Sequence, residues 1–320
     1  MKIVLAGGTG HLGQILAHDL AQHGHDIVIL SRSAPAGPGI VQWDGRHLDP
    51  WAAVIDGADA VINLAGRSVN CRYNKTNLQE MMGSRVDSTR VIGQAIQLAD
   101  HPPKVWLQMS TATINAHRFD APNDETTGII GGDEPDAPTY WRTSIDIAQA
   151  WERTLDDADT PATRKVALRC AMVMSAVPGS VFPILSGLTR AGLGGPIAGG
   201  RQFFSWLHAD DFARAVRFLL DRDDIDGPVN VAAPDPRPQR AFMAALRAGW
   251  GVPIGLPATA SMIEVAAFVH RTDTELLLKS RRVVPGRLLE AGFRFEYPTW
   301  PLAVRDLVAR QRGQQEGAAA

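Results

Sequence analysis

The clearest chemistry in this chain sits in seven consecutive residues, Gly7-Gly8-Thr9-Gly10-His11-Leu12-Gly13. The spacing is Gly-x-x-Gly-x-x-Gly, placed between an apolar run and an amphipathic one. In that setting one glycine makes a tight turn, a second lets the backbone approach a pyrophosphate, and a third lets the helix pack on the strand. Amides at the helix start then face the phosphates, aided by the helix dipole. Gly7, Thr9, Gly10, His11, Leu12 and Gly13 are therefore the candidate phosphate-binding residues. The next apolar run, Ile27 to Leu30, ends in Ser31-Arg32. An acid there would hold a ribose 2′-hydroxyl, whereas a guanidinium accommodates a 2′-phosphate, so the expected cofactor is NADP(H). One such charge-assisted bond contributes about 1.5–3 kcal/mol, roughly a ten- to hundredfold preference. Asp44 closes the run Ile40, Val41, Trp43, where its carboxylate suits either the adenine side of a nucleotide or a turn.

These residues need a frame that gathers strand ends. Strands are expected at Lys2–Ala6, Asp26–Leu30, Ile40–Asp44, Ala60–Ala65, Val105–Ser110 and Val166–Cys170, alternating with helices. That alternation predicts an α/β fold with a doubly wound parallel sheet. Long helices are expected at about Asn74–Leu98 and Thr139–Leu155, the second with Ile145, Ala148 and Trp151 inward. After Cys170 the Gly- and Pro-rich stretch from Pro178 to Gly200 breaks the alternation. The expected organisation is a nucleotide-binding domain over 1–175 with 208–225 packing back on it. An interleaved, smaller α+β substrate lobe spans 176–312, and a disordered tail 313–320. The lobe should contain short helices around Phe242–Arg247, Ile263–Val269 and Leu302–Arg310, and a hairpin-like stretch at Phe293–Tyr297.

Composition bounds the partners. With 320 residues, 45% hydrophobic, 21% charged and a formal charge of −2, the chain can build a sizeable core, and it lacks the basic clusters that nucleic acid or an anionic membrane would need. The expected partner is a small-molecule substrate, and the expected state a monomer or homodimer. Cys71 and Cys170 form no Cys-x-x-Cys, which argues against a disulfide framework or zinc site. A first strand beginning at residue 2 and the lack of a membrane-length apolar stretch lead to a cytoplasmic expectation. His208-Ala209-Asp210-Asp211 reads as a helix start with capping acids, and no metal is expected. No Gly-x-Ser-x-Gly, Walker loop or His-Glu-x-x-His occurs.

The Gly7–Gly13 loop is joined by Ile62-Asn63-Leu64-Ala65-Gly66, Ser84-Arg85, Trp151-Glu152, Gly199 to His208, Asn230 to Pro234, and Arg282 to Tyr297. On these marks the chain resembles the extended short-chain dehydrogenase/reductases, and specifically their atypical, epimerase-like branch with its own C-terminal domain. The resemblance covers nearly the whole length. It implies a Rossmann-type NADP(H) site and a substrate of unsettled identity, with a nucleotide sugar as one candidate. It also implies that Leu64, Ala65 and Gly66 run alongside the adenosine ribose and phosphates. Ser110 and Thr111 would sit by the nicotinamide, with Cys170, Met172 and Val173 closing over it.

The chain departs from that family where hydride chemistry needs a proton partner. The usual Tyr-x-x-x-Lys pair, aligned on Glu152, falls on Ser144 and Ala148. None of the three tyrosines has Lys four residues on: Tyr73 is followed by Asn77, Tyr140 by Ser144 and Tyr297 by Pro301. Asn115 holds a position where many relatives carry Tyr. Tyr140 is the nearest substitute, although an unassisted phenol with a pKa of about 10 is a poor base at neutral pH. Ser110 is expected to polarise a substrate oxygen. Arg72, Arg85, Arg201 and Gln202 are candidates for an anionic substrate, because guanidinium matches phosphate or carboxylate in a two-point fork. Two functional classes follow: an NADP(H)-dependent oxidoreductase or epimerase-like enzyme on a small carbonyl or hydroxyl substrate, and a non-catalytic NADPH-binding sensor or scaffold.

Overall fold

Strands whose residues are apolar on both faces can only be stable inside a sheet covered on both sides. Ile3 to Ala6 and Ala60 to Ile62 are fully buried, and they form the middle of a seven-stranded, all-parallel sheet. The computed structural model describes all residues except 34, 136, 265–272 and 320. The strands are β1 (Lys2–Ala6), β2 (Asp26–Ser31), β3 (Ile40–Gln42), β4 (Ala60–Asn63), β5 (Val105–Thr111), β6 (Arg164–Cys170), β7 (Met172–Met174), β8 (Phe203–Phe204), β9 (Trp206–His208), β10 (Gly227–Val231) and β11 (Arg237–Pro238). The large sheet runs β10-β6-β5-β4-β1-β2-β3. Strand order reverses between β1 and β4, which opens a crevice at their carboxyl ends, where doubly wound sheets hold ligands.

The connecting helices are α1 (His11–Gln22), α2 (Lys75–Leu98), α3 (Arg142–Asp156), α4 (Val181–Arg190), α5 (Ala209–Leu220) and α6 (Gln239–Trp250). Leu16 and Leu20 of α1 are buried, and Gly24, at φ +77°, ends the helical segment. The Asn74 side chain caps α2 by accepting from the Asn77 amide at 2.8 Å. Ile145, Ala148 and Trp151 of α3 are buried, as their spacing requires.

The second half of the chain returns to the first. α5 packs on α1 with an Arg217–Asp19 ion pair at 2.8 Å. The return extends past residue 225, since β10 pairs in parallel with β6 and completes the sheet. His208 starts α5 by accepting from the Asp210 amide, while its other ring nitrogen meets Asp306 at 3.0 Å. Around it α4, α6 and the last helix, Trp300–Ala319, share an aromatic core in which Phe242 stacks on Trp300 at 3.9 Å.

Three expectations change. Phe293–Tyr297 forms no hairpin, because the Glu296 and Tyr297 amides are taken by the buried Asp211 carboxylate at 2.8 and 2.9 Å. The tail expected to be disordered continues the last helix through Ala319. Arg312 lies over the Trp250 ring at 5.2 Å, Arg190 donates to Gln315, and the Ala and Gln residues favour helix. The expected lobe helices at Phe242–Arg247 and Leu302–Arg310 lie within longer ones, and most of Ile263–Val269 lies outside the described residues.

Candidate functional site

Gly7 adopts φ +77°, and a side chain there would meet Leu64 and Ala65 backbone at about 3.1 Å. A Cβ on Gly13 would lie 2.5 Å from both the Gly7 carbonyl oxygen and Gly8 Cα. No L side chain fits that approach, so the loop stays in a tight crook over the start of α1. Thr9 and Ser31 hydroxyls, 3.1 Å apart, tie the crook to the end of β2. Buried Ser31 is thus a strut of the loop, and Arg32 beside it is exposed.

Arg32, Asp44, Arg46, Ala65 and Gly66 line one small pocket. Asp44 accepts from the Arg46 and His47 amides at 2.7 and 2.9 Å and pairs with the His47 ring. Hydrogen bonds from His47 and Arg46 hold its carboxyl at about 2, overcoming the opposing effect of desolvation. Asp44 therefore serves as the turn residue while its pocket keeps two guanidinium neighbours.

A larger cavity, about 330 Å³, opens at the carboxyl ends of β5 and β6. The start of α1 enters it through His11 and Leu12. Met109, Ser110 and Thr111 come from β5, Cys170, Ala171 and Val173 from the end of β6 and beyond. Met172, between them, packs into the core instead. His11 Nε2 is buried without a hydrogen-bond partner among the described residues, and burial lowers the ring's pKa. Burial pushes the Cys170 thiol up to about 12, so it is a neutral wall at physiological pH.

Ser110 donates to Glu152 Oε1 at 2.6 Å, and Glu152 is itself clamped by Arg169 at 2.7 and 2.9 Å. With its proton engaged, Ser110 offers lone pairs to the cavity. It is oriented to accept, not to polarise a substrate carbonyl as expected.

The structure does not bring Tyr140 to this cavity. Its side chain is 45% exposed and its hydroxyl pairs with Thr274 at 3.0 Å. Arg72 is exposed, Arg201 lies over the Phe119 ring at 5.9 Å, and buried Gln202 donates to the Ile197 and Leu277 carbonyls. Of the four expected anion contacts, only Arg85 lines the cavity, stacked at 5.0 Å on Trp151 and donating to the Met81 and Arg67 carbonyls.

Other residues line the far end of the cavity. Tyr73, Ser144, Ala148 and Arg281 line the same cavity, so the two positions of the missing dyad do face it. Burial, reinforced by nearby Glu275, pushes the Tyr73 phenol well above its usual range. Behind Ser144 lies a buried charged group. Glu275, Lys279 and Arg281 are 0%, 1% and 7% exposed. Burial raises the Glu275 pKa against the pull of both cations, and lowers Lys279 to about 8. Nothing local in the sequence marks these residues, which lie between the helix expected at 263–269 and the Arg282–Tyr297 stretch. Among the described residues no cluster of His, Cys, Asp and Glu could hold a metal ion, and no helix is long and apolar enough to cross a membrane.

The NAD dependent epimerase/dehydratase family matches residues 3–232, and a domain of unknown function, DUF1731, matches 260–307. Over 312 residues the chain is 30% identical to the human epimerase family protein SDR39U1, spanning 97% of this chain and 100% of that one. It is 28% identical to the Bacillus subtilis epimerase family protein YfhF over 98% of this chain and 99% of that one. A crystal structure of human SDR39U1 isoform 2 with NADPH superposes with a TM-score of 0.84 at 29% identity, covering 97% and 99% of the two chains. A nucleoside-diphosphate sugar epimerase from Corynebacterium glutamicum shares the fold at TM-score 0.74 and 22% identity, over 99% of this chain and 61% of that one.

Proposed function

The chain belongs to the NAD dependent epimerase/dehydratase family, and from that premise we propose that it is an NADP(H)-dependent oxidoreductase or epimerase-like enzyme for a small carbonyl or hydroxyl substrate. One observation carries the reading: a single cavity joins the phosphate-type turn at the start of α1 to the ends of β5 and β6. The residues fit the cofactor. The Gly7–Gly13 crook is the tight glycine turn a pyrophosphate site needs, His11 Nε2, with no hydrogen-bond partner among the described residues, lies beside it, and Arg32 with Arg46 flanks a pocket suited to a 2′-phosphate. The human relative's NADPH-bound structure supports the same choice. When bound, NADPH supplies a hydride. Ser110, Thr111, Cys170 and Val173 would bound the nicotinamide and exclude water, leaving the substrate toward Tyr73, Ser144 and Arg281.

Calorimetric titration with NADPH and NADH tests the first half. The expected result is NADPH binding at least tenfold tighter. Mass spectrometry of molecules that copurify, followed by turnover with them, tests the second. The non-catalytic sensor reading draws on one observation, the Ser144 and Ala148 in place of the dyad. It predicts NADPH binding with no hydride transfer to any carbonyl compound.

A further inference from the structure

We propose that the hydrogen-bonded pair Ser144–Glu275 is the proton relay of this cavity, with Ser144 touching the substrate oxygen and Glu275 exchanging the proton behind it. The inference rests on the reading above, that a carbonyl or hydroxyl substrate meets a nicotinamide here. Ser144 projects from α3 into the cavity and its hydroxyl lies 2.5 Å from Glu275 Oε2, a hydrogen bond short enough to carry a proton between them. Glu275 is supplied by the short helix Glu275–Leu278 of the C-terminal segment, far from α3 in sequence.

Lys279 and Arg281 form a loose buried ion triad with Glu275. Lys279 Nζ and Arg281 Nη2 stand 3.6 and 3.9 Å from Oε1, within ion-pair range but beyond hydrogen bonding, and among the described residues Oε1 accepts no hydrogen bond. The cations are engaged elsewhere. Lys279 donates to the Thr113 carbonyl at 2.9 Å, and Arg281 donates to Thr113 Oγ1 at 3.0 Å and to the Glu275 backbone carbonyl at 3.2 Å. They leave the carboxyl enough positive field to hold a charge and too little contact to lock one in. Asp273 and Tyr73 are the other ionisable groups facing it: the Asp273 carboxylate favours the protonated form, while the Tyr73 phenol, itself pushed up by burial and Glu275, stays neutral.

The step balances. In the reducing direction, the hydride that bound NADPH would supply would add to the substrate carbonyl carbon, and the π electron pair would move to oxygen. That oxygen takes the Ser144 proton as Ser144 takes the Glu275 proton, leaving an alcohol, NADP⁺ and a Glu275 carboxylate facing Lys279 and Arg281. The reverse step returns the proton to Glu275. Ser144 is the catalytic residue, and Glu275 acts through it.

The test is infrared spectroscopy of the protonated-carboxyl stretch across about pH 5 to 9, on the protein alone and with NADPH. A band present near neutral pH, absent in Glu275→Gln, shifted in Ser144→Ala and restored in Ser144→Thr supports the relay. A Glu275 that stays ionised throughout that range, or a band that Ser144→Ala leaves unmoved, overturns it. If Glu275→Gln does not fold, the two serine variants still decide. Failure to bind NADPH would count against the proposed function separately, since the band is read on the free protein as well.

Discussion

At the nucleotide end of the cavity, Gly7 to Gly13 does its work within seven consecutive residues, and its donors are backbone amides. At the other end, Tyr73, Ser144 and Arg281 line the cavity, with Glu275 behind Ser144, and they arrive from three separate segments of the chain as side chains. Backbone recognition tolerates divergence, because only the shape of the turn must be kept. Side-chain recognition does not. A family can therefore keep the first end while rebuilding the second, and here Ser144 and Ala148 stand where a phenol and an amine would.

The largest expected effect falls on the second end. Glu275→Ala removes the buried carboxyl beside Lys279 and Arg281 and leaves a cavity in its place, and is expected to cost about 2–5 kcal/mol in urea unfolding. A near-neutral result would mean that the cluster is not a built unit. Arg32→Ala belongs to the nucleotide end and is expected to leave stability unchanged. It should weaken NADPH roughly ten- to hundredfold while sparing NADH; equal weakening of both would remove the 2′-phosphate assignment. Gly13→Ala forces a Cβ against the Gly7 carbonyl and should cost about 1–3 kcal/mol of stability, with loss of NADPH binding.

The pH response sharpens the contrast, because Lys279 titrates at about 8 when folded and near 10.5 when free. Between those values the unfolded chain binds the extra proton, so this group makes stability rise with pH, by at most about 1.4 kcal/mol per unit. Below about 8 its desolvation penalty is fully present. Urea midpoints measured across this window should show the rise in the parent protein and lose it in Lys279→Met. The smallest effect is expected for Tyr140→Phe, which removes one exposed hydroxyl contact and should change stability by under about 1 kcal/mol. Any substantial loss of turnover in that variant would return Tyr140 to the chemistry.

Six of the sheet's seven strands were legible in the sequence, because buried parallel strands must be apolar on both faces and their helices must alternate with them; β10 was not. The sequence by itself also determined the phosphate turn, since only glycine fits the approach at Gly7 and Gly13, and the α3 face bearing Ile145, Ala148 and Trp151. The long α2 was readable with its end set before His101-Pro102-Pro103, while its Asn74 cap is seen only in the structure. Only the tertiary structure decided which tyrosine faces the cavity, that Ser110 spends its proton on Glu152, and that Gln202 is a strut. It alone placed Glu275 and Arg281 behind Ser144. The physical reason is that strand periodicity and glycine turns are properties of neighbouring residues. The partner of a buried hydroxyl or carboxylate is set by packing between segments far apart in the chain, which leaves no local pattern to read.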